Sequence, residues 1–376
     1  MTRAPNQNTA MRRAPSTTTP QRSIGKTRRM HGLDAARAIA IIGMLAVNVG
    51  PRKEPHETDM AVLLYDLPLG RASLLFMILA GIGMSLMTRR ARTTGASLPW
   101  QTILWRSALL IGGGLMLQLL EHDVSVILTY YGVLFLCAFP FLKAPTWVLS
   151  VIAGTSLVAG PLVFLYLQQR TATVFNFVAP SLADPWWTVV HSLLLTGAYP
   201  VLVWLAPFML GLILGRCRLH THRLQYRLIG YGAAATVLPL VVSAAFVTAN
   251  GAPSDYGWDQ LMSVEAHSQM PLWMISGCGS ALLTIGIFLR AESWVTHRLS
   301  WLVSAGRLSL SIYVAHLLVL AWMVRPGPET LAQGFLISTV MSVVFLLVAH
   351  AWWRHLGPGP LERLLRWPPS FRAAQP

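Results

Sequence analysis

The chain has 376 residues, 54% of them hydrophobic and only 11% charged. A soluble domain carries roughly 25% charged residues, so most of this chain needs no water-facing surface. The formal charge of +15 is scattered over short loops, and no zinc finger, helix-turn-helix or aromatic RNA-binding signature accompanies it, which argues against a nucleic-acid partner.

From the N-terminus, residues 1–30 are polar and basic and read as a disordered cytoplasmic tail. The first apolar stretch begins near Leu33 without a small-residue cleavage site, so a signal peptide is not expected. Ten apolar runs follow, at 33–50, 72–88, 102–120, 124–142, 145–168, 196–214, 227–248, 271–289, 308–324 and 332–353. Each is near the ~20 residues that cross a hydrocarbon core as a helix. They are continuous rather than alternating, which favours helices over a barrel. Segment 185–195 carries Trp186 and Trp187 and reads as an interfacial helix leading into the sixth span. The expected architecture is an all-α polytopic transmembrane bundle of about ten spans, with a helical domain over 31–356 and a C-terminal tail over 357–376.

Charge placement orients the bundle. With the N-terminus inside, 23 of the 29 Lys and Arg fall on cytoplasmic segments and five on outer loops, with Arg37 inside the first span. The acids invert, with 11 of 14 on the outer side. This bias predicts that both termini are cytoplasmic.

Polar residues at the ends of spans are the candidates for chemistry. In the first span Asp34 and Arg37 share one helical face at the inner end. They are either a local ion pair or, for Arg37, a contact to a phosphate-bearing donor. Asn48, ~21 Å further along, either bonds a neighbouring helix or lines a cavity. The outer loop that follows holds His56 among Glu54, Glu57 and Asp59, and Arg71 starts the second span. Glu121, His122 and Asp123 make an acid–His–acid outer turn, with Tyr130 and Tyr131 just beyond it. His191 and Tyr199 flank the sixth span, and His267-Ser268 ends an acidic outer loop. A histidine that exchanges protons near neutrality is the usual general base. His316, ~13 Å into the ninth span, reads as a buried histidine bonded to another helix. The run Gly112-Gly113-Gly114 and the series Gly81, Gly83, Ser85 read as close helix packing. Cys137, Cys217 and Cys278 are isolated and no CxxC pair exists, so neither a disulfide framework nor a metal site is expected.

Several stretches together resemble a known family. They are LDAARAIAIIGMLAVNVGP (33–51), LPLGRASLLFMILAGIGMSL (67–86), LLLTGAYPVLVWLAPFMLGLILGR (193–216), the segment from His267 to Leu289, AGRLSLSIYVAH (305–316) and GPGPLERLLR (357–366). In these the chain resembles the YeiB-type bacterial membrane proteins, relatives of heparan-α-glucosaminide N-acetyltransferase within a superfamily of transmembrane acyltransferases. The resemblance implies a multi-pass protein of the bacterial cytoplasmic membrane. It would move an acyl group from cytoplasmic acyl-coenzyme A, acetyl-coenzyme A first among the donors, to a hydroxyl or amine on a small-molecule or glycan acceptor at the outer face. A second copy of the chain is a further partner to consider.

Relatives use a His in the loop after the first span, and His56 is the only one there. Ala38 departs from a Gly common in relatives, and Leu69 from a His. His56 and His267 are thus the candidate bases, with Arg71 beside them. Asn48, Tyr130, His191 and Ser268 are candidate substrate contacts, and Arg37 and Arg307 candidate donor contacts, with Arg106 and Arg216 also at the inner side. No metal is implied. The competing classes are a transporter or flippase, for which inverted repeats would be the sign, and a non-catalytic membrane partner, for which Leu69 is the argument.

Overall fold

The computed structural model describes residues 1–2, 29–50, 67–175 and 179–366, and every regular element among them is helical. In chain order the helices are α1 His31–Val49, α2 Arg71–Met87, α3 Arg89–Thr94, α4 Trp100–Leu117, α5 Leu128–Ala138, α6 Thr146–Thr171, α7 Trp186–His191, α8 Val201–Leu214, α9 His222–Asn250, α10 Pro271–Arg290, α11 Glu292–Arg298, α12 Ser300–Arg307, α13 Ser309–Val319, α14 Leu331–His355 and α15 Pro360–Leu364. The ten apolar runs correspond to α1, α2, α4, α5, α6, α8, α9, α10, α13 and α14. In apolar surroundings each backbone N–H must find its partner within the segment, and only the helix provides that without an edge.

Five of these helices are long and apolar enough to cross a bilayer, or seven when each bent pair counts as one. The chain is a multi-pass membrane protein. One bent pair is α7 with its π-helical extension Ser192–Thr196, set at 57° to α8. Trp186 and Trp187 stay 74% and 60% exposed on that short arm, as an interfacial helix would leave them. The other pair is α12 against α13 with its extension Leu320–Val324, broken at Leu308 with a bend of 79°.

Burial sorts the helices by position. In the apolar window of α1, 61% of residues are buried, against 17% in α9 and 22% in α14. The first is a central helix and the others present most of their circumference outward. Helix α1 packs against α2, α10, α12 and α14, while α8 lies between α2 and α6. Small residues permit the closest crossings. A Cβ on Gly81 would strike the Phe208 carbonyl of α8, one on Gly211 would strike Ile78 of α2, and one on Gly306 would collide with the Asp34 carbonyl of α1. The glycine run in α4 behaves otherwise. Only Gly114 abuts a neighbour, at Thr129, while added Cβ atoms on Gly112 and Gly113 meet nothing. The packing expected of that triplet is therefore made by one residue, and Gly83 instead lines a cavity.

Candidate active site

The larger cavity, about 320 Å³, opens among α1, α2, α4, α5, α12, α13 and the C-terminal helix α15. Its mouth is basic, lined by Arg29, Arg37, Arg106, Arg307 and Arg366 with Glu362 the one acid, and its deeper wall is apolar, with Phe76, Leu79, Ile127 and Phe135. Three of these arginines converge on a single carboxylate. Asp34, 1% exposed, accepts from Arg29 at 2.7 and 3.0 Å, from Arg37 at 3.0 Å and from Arg307 at 3.4 Å. One carboxylate cannot neutralise three guanidiniums, so it holds them in place and leaves an excess of positive charge. The Arg307 guanidinium also lies over the Trp353 ring at 4.5 Å.

Glu362 is committed elsewhere. It accepts from the backbone N–H groups of Leu310 and Ser311 at 2.8 and 3.1 Å and from the Ser311 hydroxyl at 2.6 Å. A carboxylate there caps the start of α13 and complements its positive end. The same segment is tied down by Trp105, which donates to the Leu364 carbonyl at 3.0 Å, and by Arg106, which donates to that of Leu365 at 3.3 Å. The C-terminal helix is thereby a wall of the cavity.

A smaller cavity of about 40 Å³ lies at the other end of α1. Asn48, Pro68, Gly70, Ser73, Tyr199 and His267 contribute to its lining. His267 is packed among aromatic rings, with centroids 5.7 Å from Tyr199, 6.4 Å from Trp204 and 5.6 Å from Trp273. Burial among them pushes its imidazole down to about 4, so it is neutral at ordinary pH. Its backbone sits at φ +62° and that of Gln269 at φ +65°, conformations that non-glycine residues adopt only when surroundings enforce them. The enforcement is visible at buried Gln269, whose side chain accepts from the Trp204 indole at 2.7 Å and donates to the Ala198 carbonyl at 3.1 Å. On the facing loop Gly70 has φ +69°, and a Cβ there would strike Trp273 and come within 3.4 Å of His267 Nε2. Glycine at 70 lets the start of α2 close against the histidine.

Asn48 reaches the smaller cavity from the end of α1, and its amide lies 3.0 Å from Nε2 of buried His316 on α13. Arg325 fixes the same corner by donating to the carbonyls of Asn48, Val49 and His122 at 2.8, 3.3 and 2.8 Å. The acid–His–acid turn is structural in character. His122 Nδ1 accepts from Val124 N–H at 3.1 Å, so its proton is on Nε2, which donates to the Leu117 carbonyl at 3.0 Å. Burial, the largest influence, pushes its imidazole below the usual range.

The two cavities share two lining residues, Met44 and Tyr313. Residues 29, 37, 106, 307 and 366, assigned to the inner side, meet in the large cavity, while residues 48, 70, 73, 199 and 267, at the outer side or outer span ends, meet in the small one.

The sequence candidates distribute unevenly. Arg37, Arg307 and Arg106 line the large cavity, and Asn48 and His267 the small one. Arg71 turns to α10, where it donates to the Ser276 carbonyl at 3.2 Å and hydroxyl at 3.1 Å, and it lines neither cavity. Its side chain thus ties α2 to α10, while the adjoining Gly70 is what meets His267. Arg216 likewise braces backbone carbonyls of Leu142 and Ala144. Tyr130 is buried, edge-on to Tyr199 at 5.3 Å. His191 bonds Thr196 at 3.1 Å on the short arm before α8, and Ser268 receives the Met270 N–H at 3.4 Å. His56 lies outside the described residues, so its placement relative to Arg71 and His267 is not described. Leu69 is absent from the lining although Pro68 and Gly70 on either side take part. Tyr313, Arg29 and Arg366 are not among the site residues read from the sequence, and Tyr131 is named there without a role. The Tyr313–His316 spacing, three apart on one helical face, was the available signal. Among the described residues no group of three metal-ligating side chains occurs.

Two family models match this chain. Residues 29–245, more than half of it, match the model described as heparan-alpha-glucosaminide N-acetyltransferase, catalytic. Residues 214–369 match a second, described as a protein of unknown function, DUF418. No curated protein matches.

Proposed function

We propose, on the premise that this chain belongs to the heparan-alpha-glucosaminide N-acetyltransferase catalytic family, that it carries an acyl group across the membrane from acyl-coenzyme A to an acceptor hydroxyl or amine. The observation that carries this reading is the pair of adjoining cavities, one large and basic, the other small and holding His267. Coenzyme A is a polyanion at one end and a thin thioester arm at the other. Its phosphates suit Arg29, Arg37, Arg106, Arg307 and Arg366, since guanidinium groups bind phosphate oxygens through charge-assisted, often bidentate hydrogen bonds. The apolar wall beyond suits the arm, which would bring the thioester toward Met44 and Tyr313.

The acceptor then enters the small cavity from the opposite side. Acyl transfer needs a base for the acceptor proton, and a neutral His267 has the lone pair for it, with His56 the rival. Asn48 supplies an amide that orients the acceptor. We take ten spans with both termini cytoplasmic, in a bacterial cytoplasmic membrane, as the setting, because the charge bias puts the arginine cavity on the cytoplasmic side. Acetyl-coenzyme A is the first donor to try. Leu69, the argument for a non-catalytic partner, loses weight because the small cavity is furnished with a histidine from elsewhere.

The test is a screen of purified protein in nanodiscs for binding of acyl-coenzyme A and for release of free coenzyme A with amino-sugar and polyol acceptors. Binding that an Arg37→Ala/Arg307→Ala pair abolishes, with acyl transfer in the wild type, supports the reading. A well-folded protein that binds no acyl-coenzyme A contradicts it.

A further inference from the structure

If donor and acceptor arrive from opposite cavities, the reacting carbonyl must lie where the cavities adjoin. That place is bounded by Met44, which offers no hydrogen, and Tyr313, which does. Tyr313 is held firmly. Its hydroxyl oxygen accepts the Ile127 N–H at 3.2 Å, and its ring meets the His316 imidazole edge-on at 5.0 Å. The oxygen therefore has a fixed position. The hydroxyl proton has no acceptor among the described residues.

Tyr131, across on α5, also lines the large cavity and is 7% exposed, and its hydroxyl has no hydrogen-bond partner among the described residues. Buried hydroxyls are nearly always hydrogen-bonded, and an exception calls for a missing partner. Fold stability gives no reason for this one, because phenylalanine would fill the same space without the desolvation cost.

We infer that the Tyr313 and Tyr131 hydroxyls are the hydrogen-bond donors to the thioester carbonyl oxygen, the cradle in which negative charge develops during acyl transfer. The inference rests on the acyltransferase reading and adds two catalytic residues to it. The acceptor oxygen or nitrogen attacks the carbonyl carbon and forms the new bond, and the carbonyl oxygen becomes an oxyanion facing the two phenols. Collapse breaks the carbon–sulfur bond and returns the thiolate to the basic cavity. The acceptor's proton passes to the base on the small-cavity side and is released, and the thiolate takes up a proton as coenzyme A. Donors fixed before the reaction lower the barrier without being reorganised during it.

The experiment compares wild type, Tyr131→Phe and Tyr313→Phe in nanodiscs, using acetyl-coenzyme A labelled with carbon-13 at the carbonyl. Three quantities are read: the carbonyl stretching frequency of the bound donor, the turnover for release of free coenzyme A, and the thermal midpoint. The wild-type protein should shift the bound carbonyl to lower frequency, and each variant should lose part of that shift. Turnover should fall roughly 10²- to 10³-fold in each variant, with the donor KM within about threefold of wild type. Tyr131→Phe should melt at or above the wild-type temperature, since its hydroxyl gives up no bond, which separates a catalytic role from a structural one. A bound carbonyl whose frequency is the same in all three proteins, or turnover unchanged in Tyr131→Phe, overturns the inference while leaving the acyltransferase reading intact. A wild-type protein that binds no acetyl-coenzyme A overturns that reading and takes this inference with it.

Discussion

The two ends of α1 are built on opposite principles. At one end Asp34 gathers Arg29, Arg37 and Arg307, and the surrounding cavity stays wide and positively charged. At the other, Asn48 meets buried His316, and the cavity is small and lined by no Arg, Lys, Asp or Glu side chain among the described residues. Redundant charge suits attraction and grip, because losing one guanidinium leaves the others in place. A tight neutral site suits chemistry, because low dielectric strengthens each hydrogen bond aimed at a developing charge. On the proposed function the same helix separates binding from reaction, and the two ends should respond differently to substitution.

The sharpest difference should come from the small cavity. With His267 as base, His267→Gln should lower turnover ~10²–10⁴-fold while donor affinity, read by calorimetry, stays near wild type. If His56→Ala produces that loss and His267→Gln does not, the base belongs to the first outer loop. The basic cavity should give the opposite pattern. A charged hydrogen bond contributes ~1.5–3 kcal/mol, so Arg37→Ala or Arg307→Ala should weaken donor binding ~10- to 100-fold with turnover at saturating donor preserved. Loss of turnover without loss of affinity would erase the distinction between the ends.

Acidity should also act through the His267 end. His267 has a folded value near 4, below the ordinary 6.5. The unfolded chain therefore binds more protons between those values, and stability falls as pH drops from about 6.5 to 4. His122, also displaced downward, works in the same direction. Thermal midpoints across pH 4–8 should show this loss for wild type and a shallower one for His267→Gln; equal slopes would locate the acid sensitivity elsewhere. A smaller effect probes the crossing that brings α8 against α2. Gly81→Ala inserts a methyl group against the Phe208 carbonyl and should cost ~1–3 kcal/mol through a lower melting point, with donor affinity and turnover per folded molecule unchanged.

The helices were legible in the sequence because each apolar run has one way to satisfy its backbone in lipid. Arg37 and Arg307, 270 residues apart and both placed at inner span ends in the sequence, do line one cavity. Side-chain direction was not legible. Arg71 looked like a site cation because it follows a loop and breaks the charge bias, yet its guanidinium spans to Ser276 on a helix 205 residues away in sequence. Nothing local encodes that partner. Tyr313 was hidden for the opposite reason. A tyrosine in an apolar span reads as ordinary packing until two cavities are seen to meet at its ring. His267 was visible as one histidine among several, and what distinguishes it is the aromatic cage brought together from α8 and α10.

The central claim is that the donor is held at the cytoplasmic end and its acyl group leaves from the other. It is tested most directly in sealed vesicles reconstituted with the protein in one orientation, with radiolabelled acetyl-coenzyme A confined to one compartment and an impermeant amino-sugar acceptor to the other. Labelled product should accumulate in the acceptor compartment when the donor faces the arginine cavity and should be absent when the two are exchanged. Product formed only when donor and acceptor share a compartment would contradict the account.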